Sequence, residues 1–230
     1  MARGWCSLVV IGARQVSRSH SFTWAMTDVS KKTPGLLLVV SGPSGTGKTT
    51  IVNALGKRLN GVFSVSATTR PPSVGEVDGR EYRFLSREEF AEIAARGVFL
   101  EHARVYGDHY YGTPQEPVLR HLAEGRLVIL DIDVQGAVKV KQAMPDAFMI
   151  FILPPSDQEL LRRLRDRGRE DEASIQRRFA EATGEISRAT DSGVYDARIV
   201  NEDLQQAINE ACRLVQERRG RWGRWGVAGQ

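Results

Sequence analysis

Apolar and polar positions along the chain fall into two kinds of segment: short unbroken apolar runs, and longer stretches with helical spacing. Leu36 to Ser41 reads LLLVVS and is closed by Gly42 and Pro43. An uncharged run of that length, bounded by turn residues, predicts a strand buried on both faces, as in a parallel sheet. LVILDI at 127–132 and AFMIFIL at 147–153 predict two more, and Arg198 to Asn201 a short last one. Val62 to Ser66 is expected to form a further strand, and Phe99 to Tyr106 is expected to be extended. The intervening segments predict helices from about Gly47 to Leu59, from Ser86 to Ala95, after residue 132, from Ser156 and from Glu202. Ser86 with Glu89, Thr113 with Glu116 and Ser156 with Glu159 each have the spacing of a capping box. In the second of these, Pro114 would take the first helical position, where its missing N–H costs nothing. Residues 67–81 are rich in Pro and Gly and predict a loop. Strands alternating with helices, with no internal repeat, imply an α/β fold around a parallel sheet.

Composition narrows the class without choosing a function. At 230 residues, 41% hydrophobic and 26% charged, the chain suits one core with small inserted lobes. No apolar run approaches the ~18–20 residues that a membrane helix needs, so no membrane partner is expected. Cys6 and Cys212 are far apart and without a partner motif, which argues against a disulfide framework or a zinc site. The net charge of +4 suits phosphorylated ligands but selects none of them. Residues 1–33 differ from the rest: Arg- and Ser-rich, with one short apolar patch and no acid before Asp28. A secretory signal, an organelle transit peptide and an upstream extension of a chain that truly starts at Met26 are the competing readings. The third is favoured, which places the protein in the cytoplasm; a transit peptide over 1–25 would make it organellar. The far end, 218–225, reads RRGRWGRW. It is expected to be a solvated, frayed tail rather than a nucleic-acid contact.

The chemistry is concentrated first at Gly42 to Thr49. GPSGTGKT matches G-x-x-x-x-G-K-[ST] in full, after a predicted strand and ahead of a predicted helix. Gly42, Pro43, Ser44, Gly45, Thr46 and Gly47 would curl backbone N–H groups around phosphate oxygens, and the following helix turns its positive end to the same anion. Lys48 would reach the β- and γ-phosphates, Thr49 would offer its hydroxyl to Mg²⁺, and Thr50 follows on the same turn. Asp131 and Asp133 close the run LVILDID, where such sites place an acid near the metal; Asp131 is expected to act through water. The segment therefore implies a nucleoside triphosphate with magnesium.

The acceptor must be read elsewhere. SVSATTRPPSVGEVDGREY at 64–82, together with YYGTP at 110–114, resembles the guanylate kinase family, and the resemblance extends over about 35–215. It implies a P-loop NTPase fold, a three-layer parallel-sheet core with an inserted GMP-binding lobe and an arginine-bearing lid. The core would be 34–66, 116–155 and 189–217, the lobe 67–115 and the lid 156–188, with 218–230 as the tail. The implied activity is ATP + GMP ⇌ ADP + GDP, with ATP and GMP as the small-molecule partners; a homo-oligomer is left open. By the same resemblance, Ser66 and Thr113 look like hydroxyl contacts around guanine, and Glu101 like the carboxylate facing guanine N1–H and N2–H₂. A carboxylate has two acceptors where guanine offers two adjacent donors, and adenine does not. Arg70, Tyr82 and Tyr111 look like holders of the GMP phosphate, Asp133 like a further polar contact, and Asn201 like a neighbour of the ATP adenine. Arg163, Arg167 and Arg178 fall on the lid positions that would neutralise the moving phosphoryl group, alongside Lys48.

Two departures from the family pattern stand out. Ser73 occupies the place of a second phosphate-holding arginine, so GMP binding is expected to be weaker unless Arg80 or Arg83 substitutes. The stretch from Glu101 to Tyr111 is one residue longer than usual, which makes Tyr110 the alternate to Tyr111. Two rival readings remain: a non-catalytic guanylate-kinase-like protein-binding module, and a P-loop kinase with another phosphorylated acceptor. The intact phosphate loop opposes the first, and Glu101 opposes the second.

Overall fold

The computed structural model describes residues 35–105, 108–166 and 171–225, with side chains up to Gly220. Expectations placed on 1–33, on Arg167 and on residues 226–230 lie outside them.

Five strands form the main sheet: β1 (Leu36–Ser41), β2 (Val62–Phe63), β7 (Leu127–Asp131), β8 (Phe148–Leu153) and β9 (Ala197–Val200). Their order is β2-β7-β1-β8-β9, and every pairing is parallel. Because side chains alternate across a strand, each apolar run feeds two cores at once. Leu36, Leu38 and Val40 face one side, with Leu127, Ile129, Ile150 and Ile152. There they meet Ile51, Val52 and Leu55 of α1 (Lys48–Leu59) and Ala207, Ile208, Ala211 and Val215 of α7 (Leu204–Trp225). Leu37, Val39, Val128, Leu130 and Met149 face the other side. Their partners are Val118 of α3 (Gln115–Ala123) and Ala137 and Val140 of α4 (Val134–Ala143). Helix, sheet, helix is the three-layer arrangement expected from the strand pattern.

A second sheet rises between α1 and α3. It contains β3 (Ala67–Thr68), β4 (Arg83–Phe84), β5 (Phe99–Val105) and β6 (His109–Pro114), in the order β4-β3-β6-β5. Helix α2 (Arg87–Ala95) packs Phe90 against Phe99 and Tyr110 beneath it. Helices α5 (Asp157–Asp166) and α6 (Glu172–Ser192) form a further pair, joined by Leu160, Leu164, Ile175 and Ala182. α5 sits directly on the phosphate loop: a Cβ on Gly45 would lie 3.1 Å from a Leu160 methyl.

Several local expectations need correction. The run 62–66 pairs only at Val62 and Phe63, and 67–81 is not all loop, since Ala67 and Thr68 pair with β4 and β6. Two-residue strands are too short to leave a period in the sequence. The capping box at Ser86 forms, with Glu89 N–H donating to Ser86 Oγ at 3.1 Å and Ser86 N–H to Glu89 Oε2 at 2.8 Å. The one at Thr113 does not. Its hydroxyl donates to Glu101 Oε1 at 2.7 Å, Pro114 is the N-cap without a side-chain bond, and α3 begins at Gln115. A buried carboxylate left without donors costs more than a helix end left without a cap. Finally, the expected frayed tail at 218–225 continues α7. Arg218 lies 5.9 Å from the centre of the Phe148 ring, and Arg219 donates to Gly125 O at 3.4 Å. Arginines in a last helical turn are also favoured by the helix dipole.

Candidate active site

The phosphate loop occupies the turn between β1 and α1, at the carboxyl end of the sheet. Thr46 is fully buried and donates its hydroxyl to Pro43 O at 2.9 Å, closing the loop on itself. Gly47 has φ 79°, and a Cβ there would come within 2.5 Å of Asn201 Nδ2. Only glycine meets both conditions. A cavity of about 470 Å³ opens above the loop, lined by Gly42, Pro43, Ser44, Gly45, Gly47, Lys48, Thr49 and Thr50, with Arg178, Glu181, Ala182 and Glu185 of α6 across it. Arg178 bridges the gap by donating to Ser44 Oγ.

A second cavity, of about 230 Å³, adjoins the first. Its walls include Ser66, Tyr82, Glu101, Tyr111, Asp131 and Asp133, and it shares Gly42, Lys48, Thr49 and Glu185 with the loop cavity. Five residues expected around an acceptor nucleotide thus converge from the small sheet and the end of β7. Lys48 donates to Asp131, and although burial alone would lower the lysine pKa, this pairing raises it overall. Lys48 is therefore held as a cation at the junction of the cavities.

Glu101 is 6% exposed and lines the second cavity. Burial raises its pKa to about 7, against the opposing hydrogen bond from Thr113. Asp133 caps α4, accepting from Gly136 N–H at 2.9 Å, and its pKa is also raised by burial. The first turn of α4 approaches Glu101 so closely that a Cβ on Gly136 would lie 2.8 Å from Glu101 Oε2. Thr113, fully buried, stands behind Glu101 rather than in the cavity wall.

Arg70 lies beside the cavity, 5.5 Å from the centre of the Tyr82 ring. Its Nη2 pairs with both oxygens of Glu76 at 2.8 and 2.9 Å, and its Nη1 donates to Ser73 Oγ at 2.9 Å. Ser73 thus serves as an acceptor for Arg70. Arg80 turns to Glu81, at 2.6 Å, and neither Arg80 nor Arg83 lines the cavity. Tyr111 packs edge-on to Tyr82, ring centres 5.8 Å apart, whereas Tyr110 packs on Phe90. The β5–β6 ladder runs without a shift from Glu101–Thr113 to Val105–His109, so the extra residue does not disturb the pairing that carries Tyr111.

Two expected residues stand differently. Asn201 is 4% exposed and lies behind the loop, where Nδ2 donates to Thr46 O at 2.7 Å. Arg163 donates to Glu159 Oε1 at 2.7 Å and to Asn201 O at 2.9 Å, so in this conformation its donors point away from the cleft. The sequence reading missed Glu181, Glu185 and Arg188. They recur with Arg178 at helical spacing, 178, 181, 185 and 188, a period that could have marked one inward face of α6.

Comparison with known proteins bears on the same residues. The guanylate kinase family model matches residues 35–218. A guanylate kinase of Caldanaerobacter subterraneus is 47% identical over 188 residues, 81% of this chain and 89% of that one. One from Gloeobacter violaceus is 50% identical over 182 residues, 79% and 87% of the two chains. The crystal structure of guanylate kinase from Anaplasma phagocytophilum superposes with a TM-score of 0.67 at 34% identity, covering 82% of this chain and 88% of that one. Among the described residues no helix is long and apolar enough to cross a membrane.

Proposed function

This chain belongs to the guanylate kinase family, and from that premise we propose that it transfers the γ-phosphoryl group of ATP to GMP, in the cytoplasm, as a step of purine nucleotide metabolism. The observation that carries the assignment of roles is the shared wall. A phosphate-loop cavity and a carboxylate-floored acceptor cavity meet at Lys48 and Thr49.

In this reading ATP lies with its phosphates along Gly42 to Gly47, where backbone N–H groups and the start of α1 favour anions. GMP lies with guanine against Glu101 and near Ser66, and Thr113 keeps Glu101 in place. Tyr82, Tyr111 and Arg70 hold its phosphate. Asn201 acts from behind, by fixing the loop carbonyl at Thr46, rather than by touching the base. An oxygen of the GMP phosphate attacks the γ-phosphorus. The new P–O bond forms as the bond to the β,γ-bridging oxygen breaks, and ADP carries that oxygen away. The attacking oxygen is already ionised, so no general base is needed. Lys48 and Arg178 stand where they can neutralise charge on the moving group. Arg163 would have to leave Glu159 and the Asn201 carbonyl to join them.

The residues also suit Mg²⁺ bound with ATP. Thr49 Oγ1 and the Asp131 carboxylate are hard oxygen donors on one wall, the kind of partial set that binds this ion together with phosphates and water. When bound, the ion supplies positive charge to the β- and γ-phosphate oxygens.

The test is ADP release from purified protein with MgATP and each of GMP, AMP, CMP and UMP. Strong turnover with GMP alone is expected. Equal turnover with AMP, or none with any of the four, would remove Glu101 from its assigned role.

A further inference from the structure

The unassigned residue that the site cannot ignore is Glu185. It lies on α6, two helical turns after Arg178, and lines both the phosphate-loop cavity and the acceptor cavity. It is 6% exposed, and its carboxylate accepts no hydrogen bond from any described residue. The nearest cations are otherwise engaged: Lys48 donates to Asp131, and Arg188 folds back along its own helix, where its Nη1 would lie 3.3 Å from a Cβ on Gly184. Burial raises its pKa to about 7, with Asp133 and Asp131 adding to the rise and Lys48 and Arg188 opposing it.

A buried carboxylate without donors is costly, and polyanions entering on both sides make it costlier. Such a group becomes favourable once a cation faces it. Asp131 and Thr49, the oxygens suited to magnesium, stand in the same cavity walls. Among the described residues no three acidic, His or Cys side chains are close enough to ligate one ion directly. The remaining route is through the ion's retained waters, which Mg²⁺ sheds reluctantly.

We propose that Glu185 is a positioning residue that accepts hydrogen bonds from water on nucleotide-bound Mg²⁺, so that α6 seats over the phosphate loop preferentially when the nucleotide carries its metal. The proposal rests on the reading of the loop cavity as the ATP site. It gives the helix that bears Arg178 a second tie to the reaction centre: Arg178 answers to the loop and Glu185 to the ion.

Calorimetric titration with ADP decides it, once with Mg²⁺ and once with a chelator, on the unmutated chain and on Glu185→Gln. The Gln variant keeps the shape and removes the charge. The expected result is that Mg²⁺ tightens ADP binding to the unmutated chain, and that this gain shrinks about tenfold or more in the variant, as for other residues that orient metal-bound groups. Metal-free ADP should bind the variant as well or better, since a buried negative charge is gone. If the Gln variant does not fold, Glu185→Asp, which keeps the charge but withdraws it by one bond, should show a reduced gain of the same kind. An unchanged metal gain in either folded variant would overturn the proposal, as would equal tightening with and without metal, which is mere relief of repulsion. Failure of the unmutated chain to bind ADP at all would instead overturn the reading of the cavity.

Discussion

Glu101 is a carboxylate asked to be an anion in a place that resists anions. Its pKa of about 7, raised from 4.5 chiefly by burial, has consequences of two signs. For the free protein, the folded pKa lies above the unfolded one, so ionisation opposes folding. The penalty is fully present above pH 7, fades as pH falls from 7 to 4.5, and is absent below that, on the order of 3 kcal/mol at most. Glu101→Gln can still accept from Thr113. It should therefore raise the unfolding temperature of the ligand-free protein at pH 8, with the difference vanishing near pH 4.5. If Glu101 faces guanine as proposed, binding needs the ionised form, which accepts from both donors. GMP affinity of the unmutated protein should fall below pH 7, approaching about tenfold per pH unit. The Gln variant should bind GMP more weakly at pH 8 and lack that component of the pH dependence. Calorimetry across pH 5.5 to 8 checks both, and a pH profile shared by the two proteins would count against the assignment.

At the scale of elements, helix α4 and strand β5 meet through a missing side chain. Gly136 lies in the first turn of α4 with nothing left-handed about its backbone, so alanine there should favour the helix by up to about 1 kcal/mol. Yet the added methyl would press on Glu101 Oε2. Gly136→Ala should thus fold normally and raise the KM for GMP about tenfold, with the KM for ATP little changed; steady-state kinetics with each substrate varied would separate the two. Such contacts mark the boundary of what the sequence makes legible. The parallel core was readable because LLLVVS, LVILD and FMIFIL are long enough to carry a pattern and are buried on both faces. Of the small sheet only β5 was, because β3 and β4 are two residues each and are fixed by partners far along the chain. Thr113 was misread as a helix cap because local spacing cannot reveal a competing carboxylate 12 residues away. The phosphate loop was plain because its chemistry is contiguous. Glu185 was overlooked because its significance comes from the loop and strand that it faces.

Across the whole molecule, the two adjoining cavities are lined from three sides: the sheet end carrying Lys48 and Asp131, the small sheet carrying Glu101 and Tyr111, and the α5–α6 pair carrying Arg178. If Arg178 neutralises the moving phosphoryl group, Arg178→Ala should lower kcat by ~10³-fold, with a much smaller effect on the KM for GMP. A loss confined to KM would restrict its role to binding. The support of the phosphate loop, meanwhile, comes late in the chain. Asn201 reaches Thr46 across 155 residues, and α7 closes the apolar face of α1. At ~5–20 residues per second, a ribosome needs roughly 8–30 s between making the loop and making its brace. Through that interval Ile51, Val52 and Leu55 lack their final cover. The most recognisable motif is thus complete long before Asn201 and α7, which brace it, have been made.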